Sequence, residues 1–174
     1  MLGFNANKTK VQLKLAVGRL KLMQQKKGAA NAAAKREIAS LLEAGKEESA
    51  RVRVEHVIRE DFTIEAYEML ELYSELLLTR WGLVETVRHC DDGIAESVHT
   101  LMYAAPRCDI KELAQVREGL VAKYGKDLAQ AAMANATGLV NPRLVHKLGV
   151  QTPDPVLVVQ YLVEIAKTYH VDWD

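Results

Sequence analysis

The sequence predicts an all-α protein built on a long antiparallel two-helix hairpin, and three observations support this fold class. Residues 50–80, ARVRVEHVIREDFTIEAYEMLELYSELLLTR, contain neither glycine nor proline. Hydrophobic residues make up 49% of the 174 residues but aromatic residues only 6%, a balance typical of aliphatic helical proteins. Apolar residues recur at helical spacing, and no segment shows the alternation of a strand.

The first predicted helix covers residues 5–44. Its apolar or small residues recur every three or four positions and predict one buried face. They are Leu13, Ala16, Leu20, Met23, Ala30, Ala34, Ile38 and Leu41. Gly45 is a natural C-terminal cap, and so short a turn between two long helices predicts an antiparallel pair.

The second predicted helix covers residues 46–81 and ends or kinks at Gly82. Shorter helices follow, and we expect them to pack on one end of the hairpin. They are predicted at residues 94–105, 110–124, 126–136, 142–148 and 154–169. The chain is therefore expected to form a single domain, residues 1–174, with the hairpin at about 5–81 and the short helices at about 94–170.

Charge is segregated along the chain although its formal net charge is zero. Residues 1–36 contain nine basic residues and no acidic residue. On a helical projection Lys10, Lys14, Lys21 and Lys35 form one band, and Lys8, Arg19 and Lys26 form a second. A helix whose charged face only contacts water is usually stabilised by pairs of opposite charge three or four residues apart. The pattern predicts contact with an anionic surface: acidic lipid, nucleic acid or the acidic face of another copy.

The second helix carries an acidic edge interrupted by aliphatic residues. Its members step by three or four positions and are Val57, Glu60, Ile64, Glu68, Glu71, Glu75 and Leu78. No lysine or arginine lies between Glu60 and Leu78 on this edge. A solvent-exposed face usually carries charges of both signs. This edge is therefore interpreted as one side of a groove for a basic amphipathic helix.

Enzyme chemistry has little support in the sequence, and no catalytic, cofactor or metal residue is predicted. There is no phosphate-binding glycine loop, no HExxH and no nucleophile elbow. The pair Glu96 and His99 has the spacing of a di-iron bundle, but a second such pair is missing. The two cysteines, Cys90 and Cys108, do not form the disulfide pattern of a small secreted domain. A reduced, cytosolic protein is therefore expected. No run approaches the ~18 apolar residues of a membrane span, so any membrane contact is expected to be peripheral.

Several motifs together resemble one known family. They are Arg51–Ala66, Glu68–Arg80, Ala95–Arg107, Val140–Leu148 and Tyr161–Tyr169. In this order and spacing they closely resemble the increased-sodium-tolerance family, regulators of vacuolar protein sorting with an ESCRT-III-like core. The resemblance covers nearly the whole chain.

The resemblance implies a non-enzymatic ESCRT-III-like scaffold. Such a protein binds the C-terminal amphipathic helix of a charged multivesicular body protein 1 (CHMP1) type subunit and co-assembles into membrane filaments. It also modulates the AAA ATPase of the pathway in multivesicular-body sorting and cytokinetic abscission. Its expected location is the cytoplasm, with recruitment to endosomal membranes and the division midbody. No cofactor is implied.

Two sets of site residues follow from combining the charge pattern with the resemblance. The residues expected to bind the partner helix are Glu68, Glu71, Glu75, Tyr161 and Glu164. The residues expected to contact membrane or neighbouring filament subunits are Lys10, Lys14, Arg19, Lys21, Lys26 and Lys35.

The sequence departs from the family pattern at its C-terminus. Family members continue through a polar linker to their own MIT-interacting motif, which docks on the ATPase, whereas this sequence ends at Asp174. We therefore expect the ATPase contact to depend mainly on a motif missing here. A nucleic-acid-binding module using the basic helix is the alternative function, and a di-iron bundle is another. Neither accounts for the acidic edge, and no nucleic-acid partner is expected.

Overall fold

The computed structural model describes residues 3–173, and 80% of these residues are helical. The described residues contain no strand, so the all-α fold class is confirmed. The two long helices are α1 (Ala6–Glu43) and α2 (Glu47–Thr79). The shorter ones are α3 (Trp81–Thr86), α4 (Asp92–Ala104), α5 (Lys111–Tyr124), α6 (Lys126–Ala134), α7 (Pro142–Leu148) and α8 (Pro155–Thr168).

The helix ends follow local chemistry. Asn5 caps α1, because its side-chain oxygen accepts a hydrogen bond from the Lys8 amide at 3.0 Å. Gly45 adopts φ 73° in the turn before α2, a conformation that costs glycine little. The second long helix ends at Thr79 rather than at Trp81, and the break lies at Arg80, not at Gly82. The sequence did not predict the separate helix α3.

The chain divides into two compact units, each containing part of α1 and part of α2. The first unit comprises the described residues up to Leu22 together with Ala66–Leu148. Its core includes Leu13 and Leu20 of α1 and Leu70 and Leu77 of α2, all fully buried. Helices α4, α5 and α6 pack on one another here. The result is a small helical bundle that includes the first half of α1.

The second unit comprises Met23–Glu65 and Gly149–Asp174, with Asp174 outside the described residues. Here α1 and α2 pair directly: the Asn31 side chain donates to the Val57 carbonyl at 3.1 Å, and Lys27 pairs with Glu60 at 2.8 Å. Helix α8 packs on this pair. Its residues share one apolar core with those of α1 and α2. The core comprises Ile38, Ala39, Leu42, Ala50, Val54, Val57, Ile58, Val158, Leu162, Ile165 and Ala166.

Candidate functional site

Helix α8 forms one wall of a pocket in the second unit. The Asp154 carboxylate caps it by accepting a hydrogen bond from the Val156 amide at 2.8 Å, and Pro155 occupies the first turn. Leu162 and Ile165 are buried on the inner face of α8. Their burial sets the rotation of the helix about its own axis, and with it the direction in which each of the other side chains points.

A hydrogen-bonded network ties α8 to both long helices. The Tyr161 hydroxyl donates to Asp61 Oδ2 at 2.7 Å, and the Asn31 amide donates to Asp61 Oδ1 at 2.8 Å. Asp61 on α2 thus accepts from α8 and from α1. Burial, the hydrogen bond to Asp61 and the charges of Asp61 and Glu65 all raise the pKa of Tyr161. The hydroxyl therefore remains a protonated donor at neutral pH.

A pocket of about 460 Å³ lies beside this network. Leu157, Ile165 and the rings of Tyr161 and Tyr169 form its apolar and aromatic walls. Such a surface can receive apolar side chains from a peptide.

The pocket also presents charges of both signs. Lys35 of α1 and Glu164 of α8 line it. Within residues 3–173 neither side chain has an ion-pair or hydrogen-bond partner, whereas the Asp61 carboxylate already accepts two hydrogen bonds. The pocket therefore suits a helix that carries apolar and charged side chains together.

The predicted partner-binding residues are distributed over both units. Tyr161 and Glu164 lie together in the pocket of the second unit. Glu68, Glu71 and Glu75 belong to the first unit and are not among the residues lining that pocket. Their role in partner binding stays a prediction.

The acidic edge of α2 is not a continuous exposed face. Val57 at its start is fully buried, and Glu60 is only partly accessible and pairs with Lys27. Farther along, Glu68 is exposed, while Glu75 pairs with Lys21 at 3.6 Å. Intramolecular lysines thus offset part of the negative charge that the sequence pattern suggested.

The predicted membrane or filament residues occupy different environments. Lys14, Lys21 and Lys26 are exposed, and Lys10 is half-buried. Lys35 lines the pocket beside α8 instead of lying on an open basic face. The side chains of Lys14 and Lys26 form no ion pair within residues 3–173, whereas Lys21 pairs with Glu75 at 3.6 Å.

Arg19, the sixth of these residues, is held inside the first unit. Its Nε atom donates to both carboxylate oxygens of Glu112 on α5, at 2.7 and 2.8 Å. Burial favours the neutral acid, but the hydrogen bonds from Arg19 and the backbone, with the charges of Arg19 and Lys111, outweigh it and lower the pKa of Glu112. The geometry gives Arg19 a structural role, and contact with a membrane stays a prediction.

The residues considered for catalysis or metal binding have unreactive surroundings. His99 is buried, and burial lowers its pKa. Burial and the neighbouring Asp91 and Asp92 raise the pKa of the Cys90 thiol to about 11, which disfavours the thiolate. No group of side chains that could hold a metal ion occurs among residues 3–173. In the same part of the chain no helix is both long enough and apolar enough to span a bilayer.

Sequence reasoning missed several residues that the structure brings to the surface or to the pocket. Asp61 had no distinguishing signal, because its partner Tyr161 lies 100 residues away. Three apolar side chains of α1 are about half exposed, although a helical apolar pattern is usually assigned to the core. They are Val11, Leu15 and Leu22.

Comparison with known proteins identifies the family. The family model Ist1, described as "Regulator of Vps4 activity in the MVB pathway", matches residues 10–172. The chain belongs to the Ist1 family. The resemblance stated from the sequence motifs is thereby confirmed. The Ist1 family is a family of non-enzymatic regulators, in agreement with the prediction that the chain is not an enzyme.

Curated Ist1 proteins and one solved structure give the same result. The chain is 42% identical over 170 residues to the IST1-like protein of Dictyostelium discoideum, covering 98% of this chain and 46% of that protein. It is 36% identical over 175 residues to the vacuolar protein sorting-associated protein IST1 of Saccharomyces cerevisiae, covering 95% and 58%. The chain thus spans about half the length of these relatives.

One similar solved structure is the S. cerevisiae Ist1 N-terminal domain in complex with a Did2 MIM motif. It matches with a TM-score of 0.89 and 35% identity, covering 100% of this chain and 96% of that one. The fold is therefore that of an Ist1 N-terminal domain.

Proposed function

We propose that this chain is the partner-binding core of an Ist1-type regulator, and that the pocket beside α8 receives the C-terminal amphipathic helix of a CHMP1-type ESCRT-III subunit. One observation carries the proposal: the pocket combines apolar and aromatic walls with charges of both signs that lack partners among the described residues. The solved Ist1 domain that resembles this chain was crystallised with a MIM motif of Did2. That complex supports a peptide ligand of the same kind here.

The chemistry of the pocket matches such a ligand. An amphipathic helix places apolar side chains at intervals of three or four residues, which suits the walls formed by Leu157, Ile165 and Tyr169. A basic residue next to that apolar face would pair with Glu164. Tyr161 supplies a rigid aromatic contact whose position is fixed by Asp61. A basic, leucine-containing helix is therefore the proposed ligand.

The remaining parts of the function rest on family membership. We propose that the chain modulates a Vps4-type AAA ATPase, self-associates and co-assembles with ESCRT-III subunits into filaments, and binds acidic membranes peripherally. The exposed lysines Lys14, Lys21 and Lys26 of α1 would contact the acidic lipid. The proposed setting is the cytoplasmic face of endosomes in multivesicular-body sorting, and the midbody in cytokinetic abscission.

Titration with a peptide tests the pocket. Fluorescence anisotropy with a labelled Did2 MIM peptide should show saturable binding, and Tyr161→Ala should weaken it by at least about tenfold, because truncation of a buried aromatic contact is among the costliest changes in an interface. Glu164→Lys should also weaken binding, since it replaces attraction for a basic residue by repulsion.

Two control variants separate recognition from folding. Tyr161→Phe keeps the ring but removes the hydrogen bond to Asp61, so it should lose less affinity than Tyr161→Ala. Glu48→Lys makes the same charge change at an exposed position outside the pocket and should bind like the wild type. Wild-type affinity in both Tyr161→Ala and Glu164→Lys would refute the assignment of this pocket.

A further inference from the structure

The first half of α1 exposes an apolar stripe. Val11, Leu15 and Leu22 are 46%, 52% and 44% exposed, whereas Leu13 and Leu20 of the same helix are fully buried in the first unit. At 100° per residue the three exposed side chains fall within about 40° of one another. This part of α1 therefore has two apolar faces, one in the core and one in solvent.

Cationic side chains flank the exposed stripe on both sides. On the helical projection Lys10, Lys14 and Lys21 lie on one side of it, and Lys8 lies on the other. Lys8 and Lys14 are exposed, and Lys8, Lys10 and Lys14 form no ion pair with any residue of the described range 3–173. Gly18 lies on the stripe itself and is exposed, so no large polar side chain interrupts it.

We propose that this stripe inserts into the interfacial region of an anionic bilayer, with Val11, Leu15 and Leu22 among the lipid chains and the flanking lysines at the headgroups. The inference rests on the membrane contact proposed above and deepens it, because it assigns the contact to apolar insertion as well as to charge. Helices that lie in a bilayer surface combine an apolar face with lysines at its edges. Long lysine side chains can extend from such a helix towards the phosphates.

The charges determine which partner covers the stripe. An apolar stripe in solvent marks an interaction surface, and cations on both edges require an anionic partner. A second copy would offer separate carboxylates rather than a continuous negative surface, and on its α2 Glu75 is already paired with Lys21 and Glu60 with Lys27. An acidic lipid surface supplies both the apolar phase and a continuous layer of negative charge.

Vesicle binding of the whole chain tests the proposal. Sedimentation with vesicles of phosphatidylcholine and phosphatidylserine in equal amounts should give binding that Leu15→Ser/Leu22→Ser weakens by about tenfold to thirtyfold, from the apolar area lost. Leu72→Ser is the matched control, because Leu72 of α2 is 67% exposed and lies outside the stripe. It should bind vesicles like the wild type.

Insertion also has a spectroscopic signature. Leu15→Trp should show a blue-shifted emission on binding and quenching by lipids brominated on their acyl chains, while Leu72→Trp should show neither. The native tryptophans, Trp81 and Trp173, set the background, which the unmodified chain measures. A bound Leu15→Trp variant without quenching would overturn the proposal.

The remaining outcomes distinguish this inference from the proposed function. If Lys14→Glu/Lys21→Glu abolishes vesicle binding but the leucine variant binds like the wild type, the contact is purely electrostatic and only the insertion is refuted. If the wild type does not bind vesicles, both membrane proposals are refuted, while titration with the Did2 MIM peptide still tests the pocket. If the leucine variant changes self-association without lipid in analytical ultracentrifugation, a second copy covers the stripe and the inference is wrong.

Discussion

Replacing Arg19 with methionine should destabilise the contact between α1 and α5. Methionine keeps the unbranched stem and a similar helix propensity, but leaves the buried Glu112 carboxylate without its cation. An exposed ion pair contributes about 0–1 kcal/mol, whereas loss of one partner of a buried pair costs about 3–5 kcal/mol. The Glu112 side chain is 11% exposed and that of Arg19 is 36% exposed, so we expect an intermediate loss of about 2 kcal/mol.

Urea unfolding followed by far-UV circular dichroism measures this loss, and pH provides an independent check. The native pKa of Glu112 is lowered, so its ionised form stabilises the fold at a pH above its unfolded pKa of about 4.3. This contribution is lost as the pH falls through the lower native pKa. The stability difference between the wild type and Glu112→Gln should therefore be largest near neutral pH and shrink below about pH 4.

Arg51→Met is the matched control. Arg51 pairs with Glu47 at 3.0 Å on the surface of α2, and the two side chains are 35% and 47% exposed. Its loss should cost no more than about 0.5 kcal/mol. Equal losses for Arg19→Met and Arg51→Met would refute the claim that burial makes the Arg19 pair important.

Two further predictions concern a helix contact and the acidic residues of α2. Gly119→Ala would place a Cβ atom 2.1 Å from Thr9 Oγ1 and should lower the free energy of unfolding by about 1–3 kcal/mol; Thr9→Ala should recover part of it. Gly28→Ala, with no neighbouring atom within 4 Å, should instead stabilise by about 1 kcal/mol, and thermal melting that shifted both variants alike would contradict this reasoning. Glu71→Lys/Glu75→Lys should weaken binding of the Did2 MIM peptide in the anisotropy titration; an unchanged affinity would remove both residues from the site.

Local chemistry made most helix boundaries predictable from the sequence. Gly45 ended the first helix, and the Asp154-Pro155 pair began the last one, because caps and turns depend on residues close in sequence. The break after Thr79 was not predictable in this way. There the chain bends at Arg80, whose guanidinium donates to the Gly93 carbonyl at 2.6 Å, a contact between residues distant in sequence.

The candidate site was less predictable, since it depends on which helices meet. Tyr161 and Glu164 were chosen as neighbours on one helix and both line the pocket, but their spacing could not reveal Asp61 on α2 or Lys35 on α1. The exposed stripe of α1 was missed for a different reason. Periodicity identifies the apolar positions of a helix but does not show which of them pack against another helix. Leu15 is exposed and Leu13 is buried, although both are leucines.

The hydrogen bond between Tyr161 and Asp61 couples two free energies: that of docking α8 onto the long helices and that of binding a ligand in the pocket. Tyr161 is both a wall of the pocket and the side chain that fastens its helix. A ligand that requires this wall therefore protects the docked state, by about 2.7 kcal/mol at a free concentration of 100 times its Kd. Cleavage by a protease within α8, which requires the helix to leave its docked, helical state, would then slow as ligand occupancy rises. Proteolysis can thus report binding without any label on the peptide.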